Sequence, residues 1–197
     1  SRVTNMYGMF RGATSFNRDL NDWDVSSVLV MAQMFLNARA FNKDLNGWNN
    51  GVSNVTRMDQ MFQGATNFNG NISGWITSSL EKMQSMFNGA INFTKALNSW
   101  NVSNVTNLNY TFANAYLFNE DLSDWDTSNV TTMKATFLNA RAFDKTLTTD
   151  VNKWNTSKVT NMMDMFNGAS SFNKDISSWD TLRVTTMEDM FNGANNF

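Results

Sequence analysis

Apolar side chains recur along this chain with one long period. A Phe, usually preceded by Met, stands at Phe10, Phe35, Phe62, Phe87, Phe112, Phe137, Phe166 and Phe191. A second Phe follows each of them after six residues, from Phe16 and Phe41 through to Phe197. All seven Trp keep a fixed place in the same frame: Trp23, Trp48, Trp75, Trp100, Trp125, Trp154 and Trp179. The first Phe recurs every 25 residues, except for spacings of 27 before Phe62 and 29 before Phe166. The motif reads V-T-x-M-x-x-M-F-x-[GN]-A-x-x-F-N-x-D-[LI]-x-x-W-[DN]-[VT]-S. A period of this length marks tandem repeats that stack, each burying its neighbour's apolar face. Residues 1–197 hold eight copies, the first and last incomplete, as one repeat domain.

Each copy predicts two elements. Between Val55 and Ala65, Met58, Met61 and Phe62 fall at i, i+3 and i+4, on one face of a short helix. Thr56 suits its N-cap, with Asp59 three residues on. Gly64 stops it, and Gly12, Asn37, Gly89, Asn114, Asn139, Gly168 and Gly193 hold the same place. Gly and Asn are the residues that enter the left-handed region cheaply. The second element is a strand over Leu20, Trp23 and Val25, where residues two apart share a face. Strands from successive copies would stack about 4.8 Å apart into a parallel sheet. The predicted fold class is therefore α/β: a single right-handed solenoid with one short strand and one short helix per coil. The Trp and first-Phe columns named above form its core. Leu108 and Thr111 replace the Met pair in one copy, and Thr136 replaces the second Met in the next. The two Thr are expected to stack, with Tyr110 or Leu138 filling the lost volume.

Composition narrows the chemistry. There is no Cys, His or Pro. The absence of Cys excludes disulfides and thiolate metal sites. The absence of His removes the commonest general base and imidazole ligand. Gly and Asn must make the turns that Pro does not, and Asn is present 31 times. A net charge of −2 gives no field that would draw nucleic acid. No apolar run approaches the roughly 20 residues that span a bilayer, so no direct membrane insertion is expected.

The segments "WDVSSV", "WNVSNVT", "WDTSNVT" and "MFNGAxxFN" carry a resemblance to the BspA-like surface-protein repeat, a leucine-rich-repeat-like family. It covers essentially the whole chain. The resemblance implies an α/β solenoid at the cell surface or outside the cell, engaged in binding or adhesion. It implies no catalytic residue.

Function should then sit on outward positions, insertions or ends. The position between Trp and Val or Thr carries Asp24, Asn101, Asp126, Asn155 and Asp180, and Asp22 and Asp124 add a second column. This is the candidate binding face, read either as a solvated polar ladder or as a site for Ca²⁺ or glycan. Oxygen ligands suit Ca²⁺, yet no EF-hand or nonapeptide motif is present, so no cofactor is assigned. Interleaved Asn spares the column a run of like charges. A mixed-charge edge follows the F-N pair at Arg18, Lys43, Lys95, Lys145 and Lys174, beside Asp19, Asp44, Asp121 and Asp175. Two insertions break the period, one at Asn50-Gly51 and one across 148–153, which contains Thr149 and Asp150. They are candidate binding loops.

Paired carboxylates such as Asp22 and Asp24 are what glycoside hydrolysis needs. They recur by repeat symmetry, however, which marks a scaffold position, so no enzyme is expected. The leading expectation is a surface scaffold that recognises protein or carbohydrate. The alternative is a structural subunit of a surface layer or filament. The chain begins and ends inside repeats, and its end coils are expected to pack on further coils, in a longer array or in neighbouring copies.

Overall fold

The computed structural model describes residues 2–147 and 154–197. Thr149 and Asp150 lie outside the described residues. Successive repeats stack in register, but the stacking is not that of an α/β solenoid. Among the described residues the one helical element is a 3-10 turn, Asn46–Trp48. Parallel pairing is confined to isolated bridges at Asn5, Val30, Arg57 and Lys82, and at Asn107, Thr132, Asn161 and Thr186. The expected helix, strand and sheet are all corrected by this.

The backbone of the third repeat shows what replaces the helix. The N–H groups of Met58, Gln60, Phe62 and Gly64 donate to Lys82, Gln84, Met86 and Asn88 of the next repeat, at 2.9, 2.9, 2.9 and 2.7 Å. The carbonyls of Arg57, Asp59, Met61 and Gln63 accept from Met31, Gln33, Phe35 and Asn37 of the previous one. The N–H groups of Met61, Gln63 and Ala65 turn back to the carbonyl three residues earlier. Alternate peptides thus point along the stack, and those between them close tight turns.

Two left-handed residues per repeat make this alternation possible. The first is Gly8, Gln33, Gln60, Ser85, Tyr110, Ala135, Asp164 or Asp189, with φ between 52° and 60°. The second is the Gly or Asn position, with φ between 55° and 74°. A right-handed helix cannot pass through either. The left-handed conformation costs a non-Gly residue roughly 1–2 kcal/mol. The inter-repeat bonds, each worth about 0.5–1.5 kcal/mol net, offset that cost. Thr56 caps no helix; its hydroxyl lies 3.4 Å from the Leu29 carbonyl.

The Leu-Trp segment is also a turn. The Trp100 and Trp125 amides donate to Leu97 and Leu122, three residues back, at 3.0 and 3.1 Å. Each inner Trp is buried, and its indole N–H donates to the Leu or Ile carbonyl of the previous repeat. Trp48 reaches Leu20 at 2.9 Å and Trp125 reaches Leu97 at 2.9 Å. The carbonyls of Leu20, Leu45, Ile72, Leu97 and Leu122 therefore each hold the Trp amide of their own repeat and the indole of the next. Trp23, in the first repeat, stays 36% exposed. At the [VT] position Thr77, Thr127 and Thr156 are buried, and each hydroxyl donates to a carbonyl of the following repeat.

The Phe columns run the length of the core. First-Phe rings stack on the next repeat at 5.4–5.8 Å between centroids. Within a repeat the two Phe rings lie closer, 3.9 Å apart for Phe62 and Phe68. Such pairs add about 0.5–1.5 kcal/mol beyond the area they bury. Phe10 and Phe191, in the end layers, are only partly buried. Thr111 and Thr136 do occupy adjacent layers, buried, with both hydroxyls donating to the Leu108 carbonyl at 2.8 and 3.2 Å. Tyr110 and Leu138 are half-exposed and lie outside the buried core.

Two expectations test this packing. Gly89→Ala should lose about 1–2 kcal/mol in urea unfolding from its left-handed backbone alone; a Cβ there meets nothing nearer than 3.6 Å. Gly64→Ala should lose distinctly more, because its Cβ would collide with the Asn37 side-chain oxygen. Trp100→Ala should cost about 3–5 kcal/mol, while Trp100→Phe, losing chiefly the indole bond to Ile72, should cost less.

Candidate recognition surface

The polar side chains divide into those that build the repeat and those free to differ. Asp24, Asn101, Asp126, Asn155 and Asp180 belong to the first group. Each uses its side-chain Oδ1 to accept the backbone N–H two residues on, at 2.9–3.0 Å. This is the Asx-turn, which suits Asp and Asn alike and accounts for their interchange at this position. Asp19, Asn71, Asp121 and Asp175 make the same turn before Trp. Asp22 is exposed. Asp124 is exposed and paired with Asn98, whose amide donates to its carboxylate at 2.7 Å.

The Asn of the F-N pair is structural as well. The Oδ1 of Asn17, Asn42 and Asn69 accepts the backbone N–H of the equivalent residue one repeat later: Asn42, Asn69 and Thr94. Asn119 and Asp144 continue the ladder to Asp144 and Asn173. At the first insertion Asn50 is exposed and Gly51 half-exposed, in a turn following the 3-10 element. A Cβ on Gly51 would press against Val25 at 2.8 Å.

The second group lies on the outer side of the turn segments, and motif reasoning missed it. Tyr7 and Arg11 both donate to the Gln33 Oε1, at 2.8 and 3.1 Å. The Gln33 amide reaches Gln60 at 2.6 Å, and Gln60 reaches Gln63 at 2.9 Å. Half-exposed Arg57 forks onto Asp59, whose carboxylate is buried beneath it, with both bonds 3.1 Å long. Midway along, the Lys134 ammonium sits 5.9 Å over the Tyr110 ring. At one corner Arg141 lies 4.5 Å over Tyr116, beside exposed Leu117. Farther on, Asp164 and Asp189 take equivalent places beside Asn167 and Asn192. The chemistry at these positions thus changes from repeat to repeat along the stack. The signal in the sequence was this variation itself, at the x positions of T-x-M-x-x-M-F-x and, for Tyr116, Leu117 and Arg141, of A-x-x-F.

Among the described residues no group of three or more acidic side chains is arranged to hold a metal ion. No helix among them is long and apolar enough to cross a membrane.

These features define a tandem-repeat protein whose copies interlock through the backbone. A family model, described as Mycoplasma protein of unknown function, DUF285, matches residues 1–52, 50–149 and 144–197. The chain belongs to that family. No curated protein matches it in a sequence search.

Acid stability follows from the bonded carboxylates. Burial pushes Asp144 up, but the Lys174 ammonium at 2.9 Å and the Asn173 N–H outweigh it, and its carboxyl is held below the usual range. The Ser177 amide and hydroxyl lower Asp175 likewise. A lowered folded pKa gives stability that is complete above the unfolded value, about 3.9 for Asp, and lost as pH falls through the folded one. The urea midpoint should hold between about pH 7 and 5 and decline below about pH 4. Asp144→Asn should flatten part of that decline; an unchanged profile would exclude Asp144 as a source.

Proposed function

We propose that the chain is a non-enzymatic repeat scaffold that displays the outer side of its turn segments to a protein or carbohydrate at a cell surface. One observation carries this reading. Inward positions repeat almost without change, whereas the turn-face positions differ in charge, size and aromaticity along the stack. Side chains not needed to hold the repeat together are free to specify a partner. Tyr and Arg, the residue types that dominate interface energetics, stand at turn-segment positions as Tyr7, Arg11 and Tyr110, and Tyr116 and Arg141 pair at a corner of the repeat. The BspA-like resemblance supports an extracellular setting and an adhesive role. The non-enzymatic reading rests on the carboxylates. They recur with the repeat, and most of those singled out by the motif are engaged in turns.

Binding of the purified chain to a glycan array and to a panel of immobilised extracellular proteins tests the proposal. Tyr110→Asn with Lys134→Ala should weaken the interaction found by about tenfold or more, while Asp126→Asn should leave it unchanged. Asn tolerates the left-handed backbone at position 110, so the first variant keeps the fold. Absence of binding on both panels, or equal loss in both variants, contradicts the proposal.

A further inference from the structure

The side chain of Asn can be attacked by the backbone nitrogen of the residue that follows it. A new N–Cγ bond closes a succinimide ring, the Cγ–Nδ2 bond breaks, and the side-chain nitrogen leaves as ammonia. Gly in the following place favours the attack, because it has no Cβ to hinder the approach. Five such pairs lie in the interior repeats: Asn46-Gly47, Asn50-Gly51, Asn69-Gly70, Asn88-Gly89 and Asn167-Gly168. As dipeptides they are equal. The stack makes them unequal.

Four of the pairs are held by hydrogen bonds. The Gly89 N–H donates to the Ala113 carbonyl at 2.8 Å and the Gly168 N–H to that of Asn192 at 2.7 Å, so each nitrogen is committed to an axial bond. Their Asn partners are engaged as well. The Asn88 Oδ1 accepts from the Asn114 amide at 3.1 Å, and the Asn167 amide donates to Asp164 at 2.8 Å. Within the 3-10 element, the Gly47 N–H donates to the Asn21 Oδ1 at 2.7 Å. At Asn69 the carboxamide itself is tied: its Oδ1 accepts from the Thr94 N–H and hydroxyl, at 3.0 and 3.2 Å. Gly70 beside it is buried against the Lys43 carbonyl.

Asn50-Gly51 differs. Asn50 is exposed, and among the described residues neither its side chain nor the Gly51 N–H has a hydrogen-bond partner. The insertion is the cause, since the preceding repeat has no residues in register with it. We infer that Asn50 is a self-modifying site: in the folded chain it loses its amide nitrogen, while the other four Asn keep theirs. The Gly51 nitrogen gives its proton to solvent base as it bonds to the Asn50 Cγ. The departing amide takes up a proton and leaves as ammonia. Water then opens the ring. Opening at Cγ gives aspartate, and opening at the main-chain carbonyl gives isoaspartate, whose backbone runs through Cβ and Cγ. Either product adds one negative charge to the net −2. Isoaspartate also lengthens the backbone between Trp48 and Val52, which are both buried. The loop thus changes its charge and shape with time, without an enzyme.

Peptide mapping by mass spectrometry, after incubation of the folded chain in mildly alkaline buffer, tests this. Asn50 should convert at least about tenfold faster than Asn46, Asn69, Asn88 or Asn167, each of which must first open locally. In urea above the unfolding transition the five rates should come together, since the bonds that separate them are gone. Hydroxylamine, which cuts a chain where the succinimide forms, should cut the folded chain after Asn50 and leave the other four Asn-Gly bonds intact. Asn50→Gln should remove both the fast conversion and that cut, and its urea transition shows that it is folded. An Asn50 that converts no faster than the other four in the folded wild-type chain overturns the inference. So does a hydroxylamine cut at any of those four before the cut at Asn50, or five rates that stay apart in urea. None of these outcomes depends on what the turn face binds, so this inference and the recognition proposal fail separately.

Discussion

A backbone polar group taken out of water must be paired, and this chain pairs its turn segments by sending alternate peptides to the neighbouring repeats. The N–H of Phe62 is spent on Met86 and the carbonyl of Met61 on Phe35, so neither is available to a helix. The peptides between them close four-residue turns. One repeat alone would leave those axial groups unpaired, and so the repeats stabilise each other and not themselves. The same constraint gives the stack its polarity, since the axial peptides of every turn segment point the same way.

The side chains follow from that frame. Axial bonds hold successive turn segments in register, so like residues lie over like. Phe stacks on Phe, and each inner indole reaches the carbonyl of the Leu or Ile below it. A slot occupied repeatedly by one shape tolerates little change. Where Thr111 and Thr136 replace Met, both hydroxyls find the Leu108 carbonyl, and the buried polar group is satisfied. Outside the frame no such condition applies. Gln60, Tyr110 and Asp164 share one backbone conformation but offer different chemistry to solvent, which is why the turn face suits recognition.

The repeat, its boundaries and its inward Phe, Met and Trp were legible because burial selects the same residue type each time. The left-handed turn at Gly64 and its equivalents was legible because Gly and Asn mark it. Its partner four residues earlier was not, since only Gly8 among Gly8, Gln33, Gln60, Ser85, Tyr110, Ala135, Asp164 and Asp189 announces a positive φ. Without that second marker the spacing of Met58, Met61 and Phe62 imitates a helical face. The Trp segment imitated a strand for a similar reason, as Trp100 and Val102 are both buried although the Trp100 amide closes a turn. Asp24 and Asp126 were visible as a column, but their engagement with the backbone two residues on depends on geometry that no spacing reveals.

The axial peptide bond is the claim from which the rest follows, and it can be observed one bond at a time. In an isotopically labelled sample, a scalar coupling across the hydrogen bond should connect the Phe62 amide nitrogen to the Met86 carbonyl carbon, with a matching coupling from Gln60 to Gln84. A coupling from Phe62 to the Met58 carbonyl, four residues back as in an α-helix, would contradict the account.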